Sequence, residues 1–356
     1  MVGCRLTHAY ILTPTTMAFE GFQSGNTECP SGAVVFSYRR FDSTAAAKSR
    51  PLLVLLHGYP QNSLMWKDFV NEIPDEWEVL IPDLPGYGNS TKPVNPATHS
   101  LGHSKREWAK DIVHVIDTLW GQDTQFIAYG HDRGARLAYR LALDYPTRVA
   151  GAALLDIVPT SYVWDAMRLE KGHEETKRTH HWVFLSSPRP LPETMIASNP
   201  QFYFDYTIRG WTGRTMRDTD AAWISESIAP YLDKERGKDR IAAACEDYRA
   251  GANHDIHDDF TSSINPLSHH IPTSTNPAPA PHPPPFKCPL LILSSHHLRA
   301  RFDVDAIWFS LGEPGKVQSF QIGNDDTGHF IVNEETEETG KKTTEWLDTF
   351  WPLPEA

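Results

Sequence analysis

The sequence predicts an α/β fold, with a mostly parallel central sheet flanked by helices and interrupted by an inserted helical cap domain. Three observations carry this expectation. First, short apolar runs at 51–56, 78–83, 126–129, 149–155, 289–293 and 317–322 are bounded by Gly, Pro or polar turns, as strands buried on both faces would be. Second, segments of helical period lie between them, the alternation that builds a parallel sheet. Third, the buried-strand pattern stops from about Pro159 to Pro289, and the intervening stretch is charged, aromatic and helical in character. At 356 residues the chain exceeds the usual limit for one core, so a large domain with an inserted lobe is expected.

The run 51–56 ends in His57-Gly58-Tyr59-Pro60, a small-residue turn able to aim a backbone N–H outward. The run 78–83 leads into the Gly/Pro loop 84–88. Ser104 and Glu107 then form a capping box, followed by Trp108, Ile112, Val115, Ile116, Leu119 and Trp120 at helical spacing. The run 126–129 meets Gly130-His131-Asp132-Arg133-Gly134, after which Leu137, Ala138, Leu141 and Ala142 share one helical face. Strand, tight turn and helix make a nucleophile elbow in which the usual Ser is Asp132. A bare glycine-flanked Asp would more often be a helix N-cap, but its surroundings argue otherwise. The run 149–155 delivers Asp156 to its end, and 317–322 is followed by Thr327-Gly328-His329. The order Asp132, Asp156, His329 matches the nucleophile, acid and base order of the α/β-hydrolase fold. The acid stays open, because Asp303 and Asp305 follow the seventh predicted strand, where many relatives keep theirs. The amides of Tyr59 and Arg133 would form the oxyanion hole.

The chain resembles the fluoroacetate (haloacetate) dehalogenases of the α/β-hydrolase superfamily over most of its length. The resemblance rests on residues 130–146, on 155–160, on His181-Trp182 and on residues 246–251. It implies that Asp132 attacks, that Arg133 and Arg136 hold a substrate carboxylate, and that His181, Trp182 and Tyr248 cradle the departing halide. It also allows a homodimer. Independently, Arg133 and Arg136 are three apart in the first helical turn, share a face and can converge on one small anion. The expected reaction is hydrolysis of a carbon–halogen bond alpha to a carboxylate through a covalent ester, with no cofactor or metal.

The alternative is an epoxide hydrolase, which uses the same Asp, His and acid and has a comparable loop at 57–60. There the leaving oxygen would be protonated by cap tyrosines, Tyr248 with one of Tyr203, Tyr206 or Tyr231. Arg133 directly after the nucleophile departs from the Trp usual in that family. A non-catalytic binding protein of the same fold is a third reading, disfavoured by the intact triad.

The expected organisation is a disordered tail at 1–16, core at 17–158, cap at 159–270, a Pro-rich linker at 271–288 and core again at 289–356. A net charge of -12 and a pI near 5.8 disfavour nucleic acid or anionic membrane as partners, so the small anionic substrate that the resemblance implies would need a local cationic patch, which Arg133 and Arg136 would provide. Cys4, Cys29, Cys245 and Cys288 are too scattered for a zinc or redox motif. With no segment of transmembrane length or signal h-region, a cytoplasmic protein is expected. His254, Asp255, His257, Asp258 and Asp259 look superficially like a metal site, and a solvated helix is the expectation there.

Overall fold

The computed structural model describes residues 18–42, 49–95, 98–168, 172–264 and 285–352. The expected tail at 1–16 and most of the Pro-rich linker lie outside them. The strands are β1 (Gln23–Glu28), β2 (Val34–Arg40), β3 (Leu52–Leu56), β4 (Val79–Pro82), β5 (Phe126–His131), β6 (Val149–Leu155), β7 (Leu290–Ser295) and β8 (Val317–Ile322). They form one eight-stranded sheet in the order β1-β2-β4-β3-β5-β6-β7-β8. β2 runs antiparallel to both β1 and β4, and every other pairing is parallel.

The inner strands read as unbroken apolar runs because both faces are covered. Leu52, Val54 and Leu56 join one hydrophobic cluster while Leu53 and Leu55 join the other. Ala128 and Tyr129, Leu154 and Leu155, and Ile292 and Leu293 are divided in the same way. This is the two-residue period of a strand acting on a sheet with two buried sides. Helix α1 (Lys105–Leu119) starts as expected, with the Ser104 hydroxyl accepting from the Glu107 amide at 3.3 Å. Helix α2 (Arg133–Asp144) leaves β5 through Asp132.

Between β6 and β7 the chain forms a series of helices from Thr160 to Thr261. The one that matters most for the site is α3 (Gly237–Ala250), which runs on through a π turn, Gly251–Asp255, into Ile256–Thr261. A closing helix, α4 (Thr336–Phe350), buries Trp346 and Leu347 against the sheet.

The expectation of a solvated helix at 254–259 is corrected by the structure, since Asp255 and Asp259 are buried. Asp255 accepts from the Lys105 amide at 2.8 Å, and Asp258 accepts from Arg106 at 2.6 Å. Asp259 accepts from the Ser161 amide at 3.0 Å and the Tyr139 hydroxyl at 3.1 Å. These carboxylates fasten the insertion to α1 and α2. Their partners lie far away in the chain, so local charge pattern gave no sign of them.

Burial raises Asp259 from 3.8 to about 6, outweighing the attraction of Arg140. A carboxyl whose folded value is raised stabilises the fold below its unfolded value and loses that contribution as pH rises through the folded one. Wild-type unfolding free energy should therefore fall by about 3 kcal/mol between roughly pH 4 and pH 7 on account of this residue. In Asp259→Asn that fraction of the slope should vanish in urea titrations at each pH. An unchanged slope would show that Asp259 is ionised throughout.

Candidate active site

The elbow is built by close approach. A Cβ on Gly130 would lie 2.3 Å from the Gly134 carbonyl oxygen, and one on Gly134 would lie 2.1 Å from that of Leu56. Strand and helix therefore meet with no side chain between them. Asp132, at their junction, has φ 48° and ψ -113°. Its carboxylate makes no N-cap bond to α2. Oδ1 instead accepts the Tyr59 amide N–H at 3.0 Å. Gly58 makes room for this, because a Cβ there would lie 2.5 Å from that of Asp132.

His329 stands between two carboxylates. Its Nδ1 donates to Asp156 Oδ2 at 2.6 Å, and its Nε2 lies 3.6 Å from Asp132 Oδ2. The other Asp156 oxygen accepts the Ser295 amide at 2.7 Å. The alternative acids are occupied elsewhere. Asp303 caps the helix Val304–Leu311 by accepting from the Ala306 amide, and Asp305 pairs with Arg299 at 3.0 Å. The His329 backbone is pinned from two sides, its carbonyl accepting from His131 Nε2 at 2.9 Å and its N–H donating to the Trp211 carbonyl at 2.8 Å.

Burial opposes charge on His329, but Asp132 and Asp156 overcome it and raise the imidazole from 6.5 to about 10. Burial likewise opposes ionisation of Asp132, yet His329, Arg133 and Arg136 hold its carboxyl well below the usual range. Asp156 is also lowered, with burial again outweighed by His329. The resting site thus holds an imidazolium between two carboxylates. His181 behaves oppositely, since burial keeps it well below 6.5 and hence neutral.

The two arginines differ. Arg136 lines a cavity of about 510 Å³ beside Asp132, His329, His181 and Trp182. One of its terminal nitrogens donates to the Val158 carbonyl at 3.0 Å and to Thr160 at 3.1 Å, and its guanidinium lies 4.6 Å from the centre of the Trp182 ring. Arg133 is fully buried and is not among the cavity's lining residues. Its Nε and Nη2 donate to Asp247, and among the described residues Nη1 has no hydrogen-bond partner. Tyr248 is also off the cavity wall, packed 4.5 Å under Arg133 and edge-on to His181 and Trp182.

With this geometry in hand, the comparisons with known proteins are decisive for the family. A sequence profile of the alpha/beta hydrolase fold matches residues 51–173. A fluoroacetate dehalogenase from Burkholderia sp. is 30% identical over 301 residues, which cover 84% of this chain and 88% of that protein. The chain belongs to the α/β-hydrolase superfamily. A soluble epoxide hydrolase from Corynebacterium sp. is 34% identical over 127 residues, 36% of this α/β hydrolase and 41% of that enzyme. A crystal structure of a proposed acyltransferase from Salmonella enterica superposes with a TM-score of 0.76 at 30% identity, covering 94% of this chain and 98% of that one.

Ser295, His131 and Asp247 escape sequence reading. A Ser at a strand end is commonplace, and Asp247 acquires its meaning from partners more than a hundred residues upstream. Lys105, Arg133 and the Tyr87 hydroxyl all donate to its carboxylate, the last at 2.8 Å. Burial opposes its ionisation, but Arg133 and Lys105 hold it down at about 2. Asp247→Ala would leave two buried cations without their counter-charge and should cost about 3–5 kcal/mol of unfolding free energy. Adding Lys105→Met should recover part of that loss in chemical denaturation. A loss of under about 1 kcal/mol in the single variant would show that the network is not structural.

Proposed function

We propose that this α/β hydrolase is a hydrolytic dehalogenase acting on 2-haloacids of the haloacetate type. The observation that carries the reading is the single cavity that brings a held-down carboxylate, Asp132, together with Arg136 and the neutral donor His181. Arg136 binds the substrate carboxylate and so points the α-carbon at Asp132. Arg133, buried behind the wall, acts on the site through its charge, which helps to keep Asp132 ionised, and not by touching the substrate. Asp132 Oδ2 displaces the halide with inversion. The C–X bond breaks, its electron pair leaves with the halide, and an ester forms on Asp132. His181 and Trp182 supply the N–H donors that replace water around the departing ion, and Tyr248 packs behind them without reaching the cavity.

Ester formation removes the charge from Asp132 and, with it, one of the two carboxylates that keep His329 protonated. His329 then becomes acidic enough to lose its proton and act as the base. It takes a proton from water as the water oxygen adds to the Asp132 carbonyl carbon. Negative charge develops on Oδ1, where the Tyr59 amide already points and the Arg133 amide completes the oxyanion hole. Collapse expels the product oxygen, protonated by His329, and yields a 2-hydroxy acid, halide and one proton. Asp156, held by Ser295, keeps the imidazole oriented.

The haloacetate reading is supported by the fluoroacetate dehalogenase relative over 84% of the chain, whereas the soluble epoxide hydrolase relative matches 36% of it. An epoxide needs a proton donor for its leaving oxygen. Tyr203 is engaged with the Tyr59 hydroxyl at 3.4 Å, Tyr231 is stacked in the core on Phe204, and Tyr206 is exposed. Among the described residues no tyrosine lines the cavity.

In His329→Gln mixed with chloroacetate, displacement should proceed and ester hydrolysis should stall. The expected result is one equivalent of chloride and a stable mass adduct on the peptide containing Asp132, and sustained turnover would remove His329 from the reaction. Replacing Arg136 by Met should cost about 2–3 kcal/mol, roughly 30- to 150-fold in kcat/KM for chloroacetate. Diol formation from styrene oxide exceeding halide release from chloroacetate in wild type, with Arg136→Met silent, would favour the epoxide hydrolase.

A further inference from the structure

The cavity is much larger than a haloacetate and its wall changes character outward. Its 510 Å³ lies within the roughly 300–1,000 Å³ that accommodates drug-sized ligands, whereas a haloacetate has only five non-hydrogen atoms. Asp132, Asp156 and Arg136 are buried. Beside them the wall is apolar, with Val163, Trp182, Leu298 and Phe302 all buried as well. The remaining charged lining residues sit toward solvent: Arg178 and Arg217 are exposed, and Arg301 is half-buried.

These three cations come from separate parts of the fold. Arg178 ends the helix Gly172–Arg178, Arg217 ends Arg214–Arg217, and Arg301 follows the helix after β7. Arg301 is ion-paired with Glu175. The Arg217 guanidinium donates to the Thr212 carbonyl, and among the described residues neither Arg178 nor Arg217 is ion-paired with a carboxylate. Among the described residues the carboxylates lining the cavity are Asp132 and Asp156. A cationic rim of this kind stands out on a chain of net charge -12.

Resting on the haloacid reading, we propose that the rim is a second anion subsite and that the site takes 2-haloacids whose α-carbon carries an apolar spacer ending in another anionic group. Arg136 holds the α-carboxylate, the apolar wall covers the spacer, and Arg178 and Arg217 hold the distal anion. A bare haloacetate reaches only the inner end.

Unreactive probes test the subsite apart from the chemistry. Wild-type protein is titrated calorimetrically with the dicarboxylates from butanedioate to nonanedioate, each beside the monocarboxylate of equal length. At one length the diacid should bind roughly three- to tenfold tighter, as two solvent-facing charge contacts would give, and the advantage should shrink with salt. It should disappear in the Arg178→Gln/Arg217→Gln double variant, while the monocarboxylate keeps its affinity. No diacid advantage at any length, or one that survives the double substitution, would overturn the subsite. Chloride release is measured in parallel with chloroacetate and a 2-chloro dicarboxylate of the favoured length. Its absence from both would overturn the haloacid reading and the halogen in this proposal, whereas release without a diacid advantage would remove the subsite alone.

Discussion

An L-residue with φ 48° and ψ -113° is held against its own preferences by about 1–3 kcal/mol, and Asp132 persists there because its surroundings leave no other path. β5 must reverse into α2 within one residue. The helix then packs so closely on β3 and β5 that only glycine fits at 130 and 134. That single backbone constraint projects the carboxylate off the sheet's end, away from its own helix and toward the Tyr59 amide. Everything else in the site is arranged around this fixed point. Asp156, which also has a positive φ of 52°, ends the neighbouring strand and meets His329 from the other side.

Electrostatics then divide the work among groups of the same type. Asp132 and Asp156 are both buried carboxylates, yet one is aimed at a cavity and one at an imidazole. Their joint effect favours a protonated His329 while Asp132 is ionised, and in the proposed reaction alkylation of Asp132 would release it. Arg133 and Arg136 diverge similarly. Asp247, on α3 of the insertion, consumes most of the Arg133 guanidinium and joins it to Lys105 on α1, so the inserted helices are fastened next to the nucleophile. Among the described residues Arg136 has no ion-paired carboxylate, and its guanidinium lines the cavity. The π turn Gly251–Asp255 begins where a Cβ on Gly251 would lie 3.2 Å from Arg133, which is the kind of local departure from α-helix often found beside functional groups.

The parallel strands were legible in the sequence because burial on both faces leaves unbroken apolar runs, and the elbow was legible because its glycines and Asp132 are adjacent. The hairpin of β1 and β2 was not. It lies at one edge of the sheet, and Gln23–Glu28 is polar and only partly buried, so neither alternation nor apolarity marks it. The choice between Asp156 and the pair Asp303 and Asp305 needed direction rather than order, since all three follow predicted strands and only Asp156 faces His329. The buried carboxylates Asp247, Asp255 and Asp259 were hidden for a related reason. Their partners Lys105, Arg133 and Tyr139 are remote in sequence, and a charged residue in a helix gives no local sign of such pairing. The cationic rim comes from three segments that meet only when the insertion folds over the sheet.

In the proposed reaction the oxygen delivered to the substrate comes from Asp132 and not directly from water. A single turnover in H2¹⁸O, with enzyme in excess over chloroacetate, separates the two by mass spectrometry of product and peptide. Unlabelled glycolate is expected from that first turnover, with ¹⁸O in the peptide containing Asp132, because water attacks the ester at the enzyme's carbonyl carbon. Glycolate carrying ¹⁸O, beside an unlabelled Asp132 peptide, would contradict it.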